Sequence, residues 1–269
     1  MSTKHTQTFK AFQTKHNLSY QNFFTFTNPK VLKNEKISEI PTAVLMLMNT
    51  PKACPAAGSC REVCLITSGN PIYLDNKIKC RIRRNNAFIN DYSIFLRYLV
   101  INCFRHYSKN RNVEKVGFRL NGVSDYAWED FSIKLTAEDT DYIQKAMDLN
   151  DNKLLKNSVQ FYDYSKRIDR NFSKIKALNY HITLSHGSKH DTFKKALELG
   201  LNYAAAFNLK KSQQLPTKFE YRGKSLNVID GDITDFRPLD NSNKTNIVGL
   251  HFKIVVNKDN AKKLEFCIA

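Results

Sequence analysis

Apolar and polar positions alternate in blocks along this chain and predict strands separated by helices. Helical patterns lie over residues 79–107, 137–150, 171–178 and 188–199, and the last of them stops at Gly200, a residue that favours helix ends. Short apolar runs of strand length stand between and around them, at 43–48, 116–120, 159–162, 181–184, 203–207, 226–229 and 247–252. Strands that alternate with helices are typical of βα units and a parallel sheet.

This alternation predicts a single α/β domain. We expect an incomplete TIM-like (β/α) barrel of parallel strands over residues 41–269, preceded by an N-terminal extension over residues 1–40. A doubly wound sheet has the same alternation and remains an alternative, because periodicity does not determine strand order. The length of 269 residues and the hydrophobic content of 42% are sufficient for one such core.

Three of the six cysteines stand close together directly after the first predicted strand. Cys54, Cys60 and Cys64 lie in the stretch TPKACPAAGSCREVCL. The C-terminal ends of parallel strands carry the active sites of α/β proteins, so this loop predicts a metal site used for chemistry. Cys80 is the candidate fourth ligand, and with it the site would be closed and structural. Three unliganded buried thiols are the alternative.

Polar side chains follow five of the predicted strands and predict a shared pocket. The candidates for acid–base or nucleophilic chemistry are Asp125, Asp163, His186, Asp230 and Asp232. The pattern D-G-D-x-x-D, which ends at Asp235, also suits a hard cation such as Mg²⁺. A tight turn around Gly231 and a helix start at His186 are the structural alternatives.

The positive charge of the chain bears on its partners. Lysine and arginine number 42 against 25 acidic residues, which gives a net charge of +17. This excess favours a nucleic acid or nucleotide partner, although a lysine-rich composition from an AT-biased genome would also produce it. The densest basic stretch follows the cysteine loop and is the candidate phosphate-binding surface, with a solvated helix face as the alternative: Lys77, Lys79, Arg81, Arg83 and Arg84.

The layout of a strand, a three-cysteine loop and a run of βα units resembles the radical S-adenosylmethionine superfamily. The resemblance implies that Cys54, Cys60 and Cys64 hold a [4Fe–4S] cluster whose open iron binds S-adenosylmethionine. It also implies that Asn121 or Asp125 contacts the methionine amino group. The spacing here is C-x5-C-x3-C, whereas that superfamily usually has C-x3-C-x2-C.

Several longer stretches resemble a second family, the phage family known as gene product 88. These stretches are CPAAGSCREVCL, RLNGVSDYAWED, YDYSK and VIDGDITDFRPLD. The resemblance implies a phage-encoded protein. Because no apolar run approaches the length of a membrane span and the N-terminus is polar, we expect no membrane partner and a location in the cytoplasm of the infected host cell.

Three hypotheses on function follow. The first is a metal-cluster-dependent enzyme, similar to radical S-adenosylmethionine enzymes, that modifies a nucleic acid base or a nucleotide. The second is similar to the tRNA-guanine and phage DNA transglycosylases, with Asp230 or Asp232 as the nucleophile and zinc on the cysteines. The third is a non-catalytic, zinc-stapled nucleic-acid-binding protein.

Overall fold

The computed structural model describes residues 3–26, 29–64, 66, 71–147, 158–240, 244–252 and 266–269. Its α-helices are α1 (Thr3–His16), α2 (Tyr20–Phe23), α3 (Pro29–Ser38), α4 (Leu74–Asn90), α5 (Tyr92–Lys109), α6 (Ala137–Met147), α7 (Phe172–Ala177) and α8 (Thr192–Leu199). Its strands are β1 (Thr42–Val44), β2 (Val116–Arg119), β3 (Val159–Ser165), β4 (Tyr180–Ser185), β5 (Tyr203–Phe207), β6 (Lys218–Tyr221), β7 (Lys224–Asp230) and β8 (Ile247–His251).

The described strands form one sheet in the order β1-β2-β3-β4-β5-β8-β7-β6. All neighbouring strands in it are parallel except β6 and β7, which form an antiparallel hairpin. The strands β1 to β5 follow one another in sequence order with helices between them. Because such crossovers are right-handed, this order places their helices on one face of the sheet and the carboxyl ends of these strands on one edge.

The two faces of the sheet bury different partners. On the helical face, Phe118 of β2 packs beside Phe161 of β3, with ring centroids 5.5 Å apart. Successive side chains of a strand point to opposite faces, so the adjacent residues Gly117 and Tyr162 lie on the other face. There they contact Phe236, whose ring would lie 2.8 Å from a Cβ at Gly117. Residues 231–240 therefore cross back over the non-helical face.

The N-terminal residues share the core of the sheet. Phe23 is fully buried against Phe95 of α5, and Phe12 packs on Tyr98 with ring centroids 5.3 Å apart. Thr25 forms an isolated antiparallel bridge with Val44, which covers the outer edge of β1. The segment before residue 40 thus contributes aromatic side chains to the same hydrophobic core.

The sheet confirms the α/β class and all seven predicted strands, but it is not closed into a barrel. The strand β6 was missed, because a four-residue amphipathic segment next to a turn gives a weak pattern. Arg222 and Gly223 both have positive φ, of 50° and 74°, which is the geometry of a two-residue hairpin turn. The strand predicted at 226–229 is confirmed as β7, which is parallel to β8 and is also the second strand of this hairpin.

The predicted helices differ from the structure mainly at their ends. The pattern over 79–107 is two helices that meet at Asp91, and α8 begins at Thr192 rather than near 188. Its start is fixed by Asp191, whose side chain accepts a hydrogen bond from the Lys194 backbone N–H. Residues 148–150 of another predicted helix lie outside the described residues. In the described ranges no helix combines the length and apolarity that a membrane span needs.

Candidate functional site

The cysteine loop, residues 49–64, leaves β1 and lies against the carboxyl ends of its neighbours. The backbone N–H of Asp125, beyond β2, donates to Ala53 O at 2.8 Å. Beyond β4, Gly187 O accepts from Gly58 N at 2.9 Å and from Cys60 N at 3.2 Å. The loop is therefore held on both sides by backbone hydrogen bonds.

Two glycines allow this close backbone contact. A Cβ on Gly58 would lie 2.6 Å from the carbonyl carbon of Ser188. Gly187 has φ +81°, and a Cβ there would lie 2.5 Å from the Phe266 ring and 3.0 Å from Cys60 Cβ. Any larger residue at either position would separate the cysteine loop from the turn after β4.

The three cysteines of this loop, Cys54, Cys60 and Cys64, are half-buried and free. Cys54 Sγ lies 3.8 Å from Val123 O, and Cys64 Sγ accepts a hydrogen bond from Asn49 Nδ2 at 3.1 Å. Burial, together with the neighbouring charges of Asp125, Cys64 and Cys60, raises the pKa of Cys54 to about 12, although the charge of Lys166 acts in the opposite direction. A cation at this position would oppose these effects, because it stabilises thiolates.

Within the described part of the chain, no three His, Cys, Asp or Glu side chains are arranged to hold a metal ion. Cys80 lies on α4, where its Sγ accepts a hydrogen bond from Arg83 Nη2 at 3.0 Å. It lines a surface depression together with Asn76, Lys79 and Arg83.

Asn121, expected to contact a cofactor, organises the loop after β2 instead. Its Oδ1 accepts hydrogen bonds from Ser124, from the Tyr126 backbone and from Trp128 Nε1, all at 3.0 Å. Its Nδ2 donates to Tyr126 O and to Asp163. The side chain is buried and has no donor left for a ligand.

Asp125 and Asp163 are buried carboxylates beneath the cysteine loop. Asp125 accepts from Ser165 Oγ at 2.7 Å and from Lys166 N at 2.8 Å, and burial raises its pKa. Asp163 accepts from Asn121 N at 2.8 Å and from the Tyr180 hydroxyl. Burial raises the pKa of Asp163 to about 7, although the Tyr180 hydrogen bond acts in the opposite direction. Both carboxylates connect the ends of neighbouring strands.

A buried ion pair supports the same region. Arg170 donates two hydrogen bonds to Glu129, and both side chains are fully buried. The guanidinium also lies over the ring of Tyr180, 5.0 Å from its centroid. Trp128 is buried against Phe88 and Phe131 in an aromatic cluster next to this pair.

His186 follows β4 directly and is half-buried. Its Nδ1 lies 2.8 Å from the Tyr203 hydroxyl, and its ring packs on Phe266. Burial lowers the pKa of His186, and the charge of Lys166 lowers it further. The imidazole is therefore neutral at neutral pH, which is the form that acts as a base or ligand.

The aspartates after β7 form a separate loop. Asp230 Oδ1 accepts from the Asp232 backbone N–H at 2.8 Å, as in a tight turn, and Asp232 Oδ2 accepts from His251 Nδ1 at 2.9 Å. Asp235 pairs with Arg119 at 2.5 Å. Each carboxylate is thus engaged within the fold, and His251 is a partner that the sequence pattern did not reveal.

The basic stretch on α4 divides between two faces. Arg81 and Arg84 are buried, and they donate to backbone carbonyls of Ile66 at 2.7 Å and of Asn22 at 2.6 Å. Lys79 is exposed and pairs with Asp75, and Lys77 and Arg83 are half-buried. The two buried arginines therefore hold the chain around the cysteine loop, and phosphate contact remains a prediction for the other three.

Sequence reasoning gave no role to two residues that border the cysteine loop. The first is Lys166, whose backbone N–H donates a hydrogen bond to Asp125. The second is Ser188, whose hydroxyl donates to Lys166 O at 2.7 Å and to Ala56 O at 3.1 Å. Their signal in the sequence is weak: each lies within three residues of a strand end, as many loop residues do.

The chain matches the family model described as gene product 88 over residues 7–269. This match agrees with the phage-family resemblance of the sequence motifs and gives no support to the radical S-adenosylmethionine resemblance. No curated protein and no solved structure matches the chain.

Proposed function

The chain belongs to the gene product 88 family, and on that premise we propose that it is a metal-cluster-dependent enzyme that modifies a nucleic acid base or a nucleotide. The observation that carries the proposal is the three-thiol loop fixed at the carboxyl edge of a parallel sheet. Reactive groups of α/β proteins lie at that edge. The incomplete-barrel architecture is part of this proposal.

The proposal rests on ligand type and number: three cysteines from one loop are the ligands that a [4Fe–4S] cluster with one open iron requires, although the described side chains are not arranged around a metal ion. Cys54, Cys60 and Cys64 would hold the cluster, after rotation of their side chains. When bound, such a cluster supplies an electron for the reductive cleavage of S-adenosylmethionine. Metal binding must remove the thiol protons, so the high pKa of Cys54 makes metal affinity increase with pH.

The protein groups around the loop have definite roles in this proposal. Asp125 holds the segment after β3 against the cysteine loop through Ser165 Oγ and Lys166 N. Asn49 Nδ2 donates to the Cys64 sulfur, and hydrogen bonds to sulfur tune the reduction potentials of clusters. The neutral imidazole of His186, at the same edge, can accept a proton from a substrate.

The transglycosylase hypothesis gains nothing from the geometry. Asp232 Oδ2 accepts two hydrogen bonds from His251, and Asp230 Oδ1 accepts one from the Asp232 backbone, so one oxygen of each carboxylate is used within the fold. We favour the cysteine loop because it adds three thiols at the carboxyl edge of the parallel strands.

The test is anaerobic purification followed by a visible spectrum, iron and acid-labile sulfide analysis, and incubation with S-adenosylmethionine and a one-electron reductant. We expect iron, sulfide and formation of 5′-deoxyadenosine. The matched controls are Cys60→Ala, which should lose all three, and Cys103→Ala on α5, which should retain them. Zinc without sulfide would contradict the proposal and favour the zinc-stapled binding protein.

A further inference from the structure

Lys166 is fixed at the border of the cysteine loop. Its backbone N–H donates to Asp125 Oδ2 at 2.8 Å, and its carbonyl accepts from Ser188 Oγ at 2.7 Å. The same Ser188 hydroxyl lies 3.1 Å from Ala56 O, and the Asp125 backbone N–H donates to Ala53 O. Two residues therefore tie the Lys166 backbone to both sides of Cys54.

The ammonium group of Lys166 has no carboxylate partner among the residues that the structure describes. The two arginines of the same segment differ, since Arg167 is bound by Asp169 and Arg170 by Glu129, each through two hydrogen bonds. Asp125 is close, but its two oxygens already accept from Ser165 Oγ and from the Lys166 backbone. Lys166 as a residue is half-buried.

A half-buried ammonium group without an ion pair is still partly hydrated and is available to bind an anion. The Lys166 backbone is held beside Cys54 by the hydrogen bonds above, and the charge of Lys166 lowers the pKa of Cys54 and of His186. A lysine is a compact charge on a flexible stem and suits a single phosphate. The net charge of +17 agrees with a polyanionic ligand.

We propose that Lys166 contacts a backbone phosphate of a single-stranded nucleic acid and thereby positions the substrate at the cysteine loop. The inference rests on the proposed function for its substrate class. It adds Lys166 as a residue that positions the substrate by binding a phosphate group, and Lys166 is not one of the proposed metal ligands.

The test measures binding of a short fluorescein-labelled single-stranded DNA by anisotropy over a series of salt concentrations. Lys166→Met should weaken binding about 3- to 10-fold and lower the slope of log affinity against log salt by about 1, as expected for one lost phosphate contact. Lys166→Arg should retain both values. Lys224→Met, at the amino end of β7, is the control and should behave as the wild type.

Iron and sulfide analysis of the same proteins separates this inference from the proposed function. Unchanged affinity and salt slope in Lys166→Met would overturn it. Loss of metal in Lys166→Met with unchanged DNA binding would also overturn it, because Lys166 would then support the thiolates. Weaker DNA binding in Lys166→Met, in a wild-type protein that holds no metal, would support the phosphate contact and contradict the cluster.

Discussion

The loop around the cysteines and the loop after β7 both place aspartates at the carboxyl edge of the sheet, yet they use them differently. At the cysteine edge, Asp125 and Asp163 are buried and accept hydrogen bonds mainly from backbone N–H groups and hydroxyls. After β7, Asp232 and Asp235 pair with the side chains of His251 and Arg119. The cysteine loop also carries three thiols, and Lys166 beside it has no ion-pair partner among the described residues.

This difference shows that polar residues at the ends of strands do not by themselves identify a functional site. A polar side chain whose hydrogen bonds are satisfied within the fold is part of the structure. The thiols of the cysteine loop and the ammonium group of Lys166 are not used in ion pairs among the described residues, so they can bind a metal or a ligand. The cysteine edge therefore combines a rigid carboxylate framework with reactive groups, whereas the β7 loop closes the non-helical face of the sheet.

The largest expected loss of stability comes from breaking the buried ion pair between Glu129 and Arg170, which supports the region of the cysteine loop. Glu129→Gln leaves the fully buried Arg170 without a charged partner, and we expect the free energy of unfolding to fall by about 3–5 kcal/mol. Asp169→Asn is the matched control, because its ion pair with Arg167 is largely exposed on the aspartate side and should contribute less than about 1 kcal/mol. Urea unfolding measures the free energy of unfolding of both variants. Equal losses in the two variants would contradict the larger role given to the buried ion pair.

The pH dependence of stability tests the burial of Asp163. Its pKa in the folded protein is raised to about 7, above the unfolded value, so its contribution is fully present below the unfolded pKa and is lost as pH rises through about 7. The lost stability is of the order of a few kcal/mol. Asp163→Asn should show a shallower fall between about pH 4 and 7 in urea titrations. An identical slope in the variant would show that this carboxyl is not perturbed.

The next largest effect comes from a substitution that pushes the cysteine loop away from the turn after β4. Gly58→Ala forces a Cβ against the Ser188 backbone, and we expect a loss of about 1–3 kcal/mol together with loss of metal loading. Gly223→Ala in the β6–β7 turn is the control, since its Cβ meets no atom within 4 Å and only the positive φ is strained. It should cost about 1–2 kcal/mol and leave metal loading intact. Normal loading in Gly58→Ala would argue against the clamped loop.

The smallest effect concerns the exposed part of α4. Lys79→Gln removes an ion pair with Asp75 in which both side chains are largely exposed, so stability should change by less than about 0.5 kcal/mol. If this face contacts phosphate, the salt dependence of oligonucleotide binding should weaken in the same variant. Thermal unfolding and anisotropy provide the two readouts. A stability loss comparable to that of Glu129→Gln would be inconsistent with an exposed pair.

The sequence predicted the elements better than their assembly. Apolar runs located seven of the strands because buried parallel strands are nearly continuous in hydrophobicity, as at 203–207. The alternation of Lys218–Tyr221 is too short to stand out, and its pairing depends on a turn of Arg222 and Gly223. Periodicity also cannot indicate that residues 231–240 return across the sheet to Gly117.

The candidate site was only partly predictable for a related reason. Cysteine spacing and strand ends located the loop, but the use of each polar group depends on contacts between distant segments. The saturation of Asn121 by Trp128 and Asp163 is one example, and the burial of Arg84 against Asn22 is another. Nothing in the local sequence distinguishes Lys166 from its paired neighbour Arg167.

The most direct test asks in one experiment whether the metal content of the protein depends on the cysteine loop or on the loop after β7. Cys60→Ala and Asp232→Asn would be purified anaerobically beside the wild type and analysed for iron, zinc and acid-labile sulfide. The account predicts that Cys60→Ala loses iron and sulfide while Asp232→Asn retains wild-type amounts. Retention of metal in Cys60→Ala with loss in Asp232→Asn would place the centre at the β7 loop and contradict the account.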